Sequence, residues 1–130
     1  MNSSDVLVVD DDTDIRESIT YLLEYEGYKV RTAANGVEGF CQLGMARPSL
    51  ILLDLMMPVM DGWQFKTKLD GEPDLTGIPI VVVSADGNIA EKSLSIGVEE
   101  FLTKPIDIEN LLRLVKKYCG ATPSQATLDL

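Results

Sequence analysis

The chain has no histidine, and its 130 residues include only two cysteines and one tryptophan. The lack of histidine excludes imidazole acid–base catalysis, imidazole metal ligands and a phosphohistidine relay site within this chain. Cys41 and Cys119 sit in unrelated segments with no metal-ligand spacing, so both are expected to be buried thiols in a reducing compartment. Any metal must then be held by oxygen, which selects Mg²⁺, Mn²⁺ or Ca²⁺. Basic residues are also scarce: 11 Lys and Arg stand against 21 Asp and Glu, a net charge of −10. That balance argues against direct nucleic-acid binding, which needs a basic surface. It suits partners that are cations or basic patches on other proteins. No apolar run is long enough to span a bilayer, and no signal-peptide pattern follows Met1-Asn2-Ser3-Ser4. Cytoplasm is the expected compartment, with no membrane partner.

What is present reads as one domain. Hydrophobic residues make up 45% and charged residues 25%, proportions of an ordinary globular chain long enough to bury a core. We assign residues 1–120 to this domain and 121–130 to a tail. Its most hydrophobic stretch, Leu50-Ile51-Leu52-Leu53, runs straight into Asp54, and Pro58 follows shortly after. Such a run reads as a strand buried on both faces of a parallel sheet, ended near Asp54 by a proline that cannot continue the ladder. Val6-Leu7-Val8-Val9 is a second such run, ending in Asp10-Asp11-Asp12. Ile15, Ile19, Leu22 and Leu23 then recur at helical spacing up to Gly27.

Tyr28 to Ala33 is strand-like, Asn35-Gly36 a turn, and Val37, Phe40 and Cys41 open a helix weakened by Gly39 and Gly44. Trp63, Phe65 and Leu69 mark a helix, and the stretch from Asp70 to Gly77 a surface connection. Ile80-Val81-Val82-Val83 is a buried strand ending at Ser84. Ile89, Ser93 and Ile96 mark a short polar helix, and Glu100 to Thr103 a brief strand before Lys104-Pro105. Ile108, Leu111, Leu112, Val115 and Tyr118 form the strongest helical stripe. Five strands alternating with five helices through short connections require an α/β doubly wound parallel sheet, with order 2-1-3-4-5.

The strand ends gather chemistry at one edge, where open α/β sheets bind ligands. The first delivers Asp10 and Asp11, the third Asp54, the fourth Ser84 and the fifth Lys104. Singly these would be caps, a turn residue and an exposed lysine. Together they place carboxylates, a hydroxyl and an ammonium at one point. Packed carboxylates repel, so one must hold a proton unless a cation joins them. Mg²⁺, which uses one or two carboxylates with waters and phosphate oxygens, is the natural complement. These are the groups that hold a phosphoryl through transfer, and an Asp can be the nucleophile. The residues alone leave open which Asp that is.

The segments VLVVDDDTD, LILLDLMMPVMDGW, VVVSADG and EFLTKP resemble the receiver domain of two-component response regulators, in that family's order and spacing from about Asp5 to Tyr118. The resemblance implies a flavodoxin-like (βα)5 fold. It implies that Asp54 is the phospho-acceptor, served by the phosphohistidine of a sensor histidine kinase or a histidine phosphotransfer protein, or by a small phosphodonor. Asp11 matches the direct Mg²⁺ ligand, with Mn²⁺ able to substitute, and Asp10 the acid acting largely through water. The Met56 backbone carbonyl completes the protein ligands, and Asp12 is left as an N-terminal helix acid. Ser84 matches the switch hydroxyl, Lys104 the lysine that pairs with the phosphoryl, and Phe101 the aromatic switch residue. The bond before Pro105 is implied to be cis. Ser84 stands where threonine is common and Phe101 where tyrosine is frequent. Met56 and Asp86 occupy positions that tune phosphoryl lifetime in the family.

The output face implied is the helix after Ser84, the Phe101 strand and the last helix, acting on a downstream protein target. Glu99, Glu100 and Lys116 supply part of the ion pairs by which winged-helix relatives dimerise, but Ala90, Asn110 and Leu114 stand where charges are needed. A single-domain monomer is therefore expected, with Leu114 otherwise a partly exposed apolar residue. The main alternative is an aspartate phosphatase of the haloacid-dehalogenase type, with Asp10 as nucleophile and Asp12 beside it. It lacks a cap insertion and a late acidic pair. A flavodoxin-like cofactor binder fares worse, since Asp10-Asp11-Asp12 would repel a phosphate. A degenerate scaffold would not need the full set of Asp10, Asp11, Asp54, Ser84 and Lys104.

Overall fold

The structure, a computed structural model, describes residues 5–57 and 59–122. Pro58 and nearly all of the expected tail lie outside the described residues. Five strands, β1 (Asp5–Val9), β2 (Lys29–Ala33), β3 (Leu50–Leu53), β4 (Ile80–Ser84) and β5 (Glu100–Thr103), alternate with five helices. These are α1 (Thr13–Tyr25), α2 (Gly36–Met45), α3 (Gly62–Asp70), α4 (Ile89–Ser95) and α5 (Ile108–Cys119). The strands form one parallel sheet in the order β2-β1-β3-β4-β5, the doubly wound fold expected from the alternation of elements.

The sheet is covered on both faces, and the strict period of two decides which side chain meets which layer. Val6, Val8, Leu50, Leu52, Val81, Val83 and Leu102 pack with Ile19, Leu23, Leu111 and Val115 of α1 and α5. Leu7, Val9, Ile51 and Leu53 pack against Leu43, Phe65 and Leu69 of α2 and α3. A smaller cluster joins Leu55, Val82, Ile89 and Val98, with Trp63 packed on it. Every residue of β3 is buried, which is why that segment is uninterrupted Leu and Ile.

Short polar side chains start most helices. Asp12, Asn35, Asp61 and Asp107 are N-caps whose side chains accept backbone N–H groups of α1, α2, α3 and α5. Asn35 thus caps α2 directly instead of forming the separate turn expected with Gly36. Asp61 and Gln64 form a reciprocal capping box, closing two otherwise unpaired donors. Gly39 has a packing reason within α2: a Cβ there would lie 2.8 Å from the Phe65 ring.

Two further expectations need correction. Cys41 is exposed, because it falls on the outer face of α2; only Cys119 is buried, and burial pushes its thiol up to about 11. Leu114 is not a surface residue: at 2% exposure it packs into the α1–α5 core. The connection after α3 holds a 3-10 turn at Pro73–Leu75, with proline at its first position, where no N–H is needed. Beyond α5, the Tyr28 hydroxyl donates to the Gly120 carbonyl and buried Thr122 donates to the Glu26 carbonyl. The packed chain therefore continues to Thr122.

Candidate functional site

Each ladder carries one residue past its strand into the same edge. Asp10 N–H donates to the Ala33 carbonyl, Asp54 N–H to Val9 and Lys104 N–H to Ser84, at 2.9–3.0 Å. The alternation that buries Val8, Leu52 and Leu102 on the α1–α5 face turns the next even positions to the same side, and Asp10, Asp54 and Lys104 meet there. Lys104 Nζ lies 2.9 Å from Asp10 Oδ2 and 3.6 Å from Asp54 Oδ2. Asp10 and Asp54 are 2% and 5% exposed, so both carboxylates have lost most of their water. Asp11 is exposed, yet one carboxylate oxygen from each of Asp10, Asp11 and Asp54 falls within 4.8 Å of the others.

The surroundings set the charge of Asp54. Burial pushes its carboxyl up to about 7; the Met56 N–H, donating to Oδ1 at 3.1 Å, pulls it down. Asp10 raises it further and Lys104 lowers it. Burial works against the Lys104 ammonium, but Asp10 and Asp54 outweigh it and hold the group above its usual range. Lys104 thus pairs with two of the three clustered acids, and the set is short of positive charge. Oxygen donors of this kind and spacing suit a small hard cation.

Each expected residue has a definite place. Ser84 is 2% exposed at the end of β4, where its hydroxyl oxygen accepts the Asp86 N–H at 3.2 Å. Met56 follows β3 and Asp54 with its side chain exposed. Phe101 lies opposite Val82 in register and is 38% exposed, an outward ring. The Lys104–Pro105 peptide is cis. Asp12 is occupied as the α1 cap, accepting Asp14 and Ile15 N–H groups. The acids that converge are Asp10, Asp11 and Asp54, and Asp12 is not among them.

Sequence reasoning missed several residues that build the site. The Arg16 guanidinium donates to the Asp10 carbonyl at 2.6 Å and to Thr13 Oγ1 at 3.2 Å, fixing the first acidic turn. No spacing rule connects positions six apart, so nothing announced it. Gly62 lets α3 start against the backbone leaving β3: a Cβ there would lie 2.8 Å from Leu55 Cα and 3.1 Å from the Asp54 carbonyl. Asp61-x-x-Gln64 carried a readable capping-box signal. Val59, in the loop after Asp54, has a φ of 70° and is 79% exposed. A β-branched residue rarely takes that conformation.

The comparisons with known proteins agree with this geometry. The family profile described as "Response regulator receiver domain" matches residues 6–116. The chain is 36% identical over 124 residues to a 14.6 kDa protein from the sodA1 3′ region of Leptolyngbya boryana, covering 94% of this chain and 95% of that protein. It is 38% identical over 109 residues to the response regulator MprA of Mycobacterium tuberculosis, covering 82% of this chain but 46% of that longer protein. Among solved structures, the receiver domain of the sensor histidine kinase PA1611 from Pseudomonas aeruginosa PAO1 superposes with a TM-score of 0.81 at 25% identity. That match covers 92% of this chain and 99% of the other, whose active-site cleft holds a coordinated magnesium ion. With five strands in receiver order and the family's profile spanning nearly all of its packed residues, the chain belongs to the receiver domains of two-component response regulators.

Proposed function

We propose that this receiver accepts a phosphoryl group on Asp54 and catalyses only its own phosphorylation and dephosphorylation. The observation that carries the reading is the convergence of Asp10, Asp11 and Asp54 within 4.8 Å, with Lys104 bridging Asp10 and Asp54. Asp10, Asp11, Asp54 and the Met56 carbonyl would hold Mg²⁺, or Mn²⁺ in its place. When bound, the metal neutralises the carboxylates and the phosphoryl oxygens.

The chain's own groups do the rest. Asp54 presents a carboxylate oxygen from a rigid strand end and forms the bond to phosphorus, while the phosphorus–nitrogen bond of a donor phosphohistidine breaks. Burial limits competing water around it. Lys104 is placed to move its ammonium from Asp54 to a phosphoryl oxygen, a charge-assisted contact. The Ser84 hydroxyl donates to another oxygen, and Phe101 turns inward as β4 and β5 adjust. The donor is a histidine kinase or histidine phosphotransfer protein, or a small acyl phosphate. The output is a changed α4–β5–α5 face read by a downstream protein. The charge of −10 argues against direct nucleic-acid contact, and among the described residues no helix is long and apolar enough to cross a membrane. We place the domain, whose packing runs on past residue 120 to Thr122, in the cytoplasm as a monomer.

Incubation with acetyl phosphate tests the reading. Intact mass should show one added phosphoryl group with Mg²⁺ present and none after chelation; metal-independent labelling, or none at all, would contradict it.

A further inference from the structure

The β4–α4 turn is held from outside by a set of contacts that reach across to α3. Ser84 Oγ accepts the Asp86 N–H at 3.2 Å. The Asp86 carboxylate is held on both oxygens: Asn88 N–H donates to Oδ1 at 2.8 Å, and the Lys92 ammonium pairs with Oδ2. That ammonium also sits over the Trp63 ring, 5.9 Å from its centre. Trp63 Nε1 donates to Ser95 Oγ at 3.3 Å, and Ser95 Oγ donates back to the Lys92 carbonyl at 2.6 Å. Residues on α3 and on two turns of α4 are thus joined around one lysine, which reaches Ser84 through Asp86.

Little else fastens α4. It has seven residues, and Asn88 provides no side-chain cap. Its Ser93 hydroxyl is fully buried with no partner, a cost of burial without return. Its apolar seat is the small cluster of Leu55, Val82, Ile89 and Val98, on which Trp63 also packs. Leu55 directly follows Asp54, so the ground beneath the clasp adjoins the acceptor itself.

We infer that Lys92 is a positioning residue: with Asp86, Trp63 and Ser95 it clasps α4 to α3 and holds the Ser84 hydroxyl in its present place, opposing the shift that a phosphoryl on Asp54 demands. The inference rests on Asp54 phosphorylation as proposed above. A Ser84 that moves toward the phosphoryl draws the Asp86 N–H with it and pulls the Asp86 carboxylate from Lys92. The clasp therefore stabilises the unphosphorylated form and weakens phosphoryl binding by the same factor.

Beryllofluoride, a phosphoryl mimic, separates this from a structural ion pair. Wild type, Lys92→Met, Asp86→Asn and the double variant are titrated with beryllofluoride at saturating Mg²⁺, with Trp63 fluorescence as signal and Asp54→Ala as control. The expected result is a midpoint lowered about twofold to fivefold in Lys92→Met, the range of a partly exposed surface pair. The double variant should show no further gain over the stronger single one. An unchanged or raised midpoint in Lys92→Met, despite lower thermal stability, overturns the clasp while leaving Asp54 as acceptor. No Asp54-dependent response in wild type overturns the acceptor reading and the clasp with it.

Discussion

Lys104 pairs with Asp10 at 2.9 Å while standing 3.6 Å from Asp54, so its ammonium is engaged mainly with the acid that is not the proposed acceptor. A divalent cation at Asp10, Asp11 and Asp54 would compete with it for the same oxygens. Lys104→Met should therefore tighten Mg²⁺ binding about threefold to tenfold, the effect of removing a nearby like charge at an effective dielectric near that of a protein surface. Labelling by acetyl phosphate should fall at least about tenfold, since the charge-assisted contact to the phosphoryl is lost. Metal titration and mass spectrometry of the same variant check both directions.

Asp54 makes folding stability depend on pH. Its folded-state value, raised to about 7 from 3.8, means that the contribution is fully present below about pH 4 and is lost as pH rises through about 7. Full ionisation corresponds to roughly 4 kcal/mol, reduced because Asp10 and Lys104 readjust with it. In chelator, Asp54→Asn should exceed wild type by about 1–3 kcal/mol at about pH 8, with the advantage shrinking towards pH 4. Urea unfolding across this range measures it.

Val59 is a β-branched residue at a φ of 70°. The conformation costs of order 1–2 kcal/mol for such a side chain, more than the entropy a glycine adds to the unfolded chain. Val59→Gly should therefore raise stability by about 0.5–1 kcal/mol. Its exposure leaves no packing to lose. Thermal melts of the two proteins decide the matter.

Among the described residues, the pairing charges of the α4–β5–α5 face are incomplete. Glu100 is bonded within the molecule to Lys117 and Tyr118, Leu114 is buried, and Ala90 and Asn110 carry no charge. The beryllofluoride-activated protein should elute as a monomer in light-scattering chromatography. A symmetric dimer through this face would contradict the assignment.

The sequence carried the sheet and the acidic edge well, because both follow from local rules. A strand buried on both faces writes itself as Leu50-Ile51-Leu52-Leu53, and parallel strands must deliver Asp10, Asp54, Ser84 and Lys104 to one end. Long-range contacts within a side-chain layer were not written that way. Cys41 was expected to be buried because free cysteines usually are, whereas its position on α2 leaves it exposed. Leu114 was assigned to the surface by analogy with charged relatives, although its spacing from Leu111 and Val115 placed it on the buried stripe. The Asp86–Lys92 pair depends on how the β4–α4 turn folds back, and the Trp63–Ser95 bond on how α3 and α4 sit together, neither of which a pattern along the chain encodes.

The central claim, that Asp54 rather than Asp10 carries the phosphoryl group, is tested most directly by locating the modification. Wild-type protein treated with acetyl phosphate and Mg²⁺, trapped and digested, should place it on Asp54, and Asp54→Asn should take up none. Labelling that persists in Asp54→Asn, or that maps to Asp10, would contradict the account.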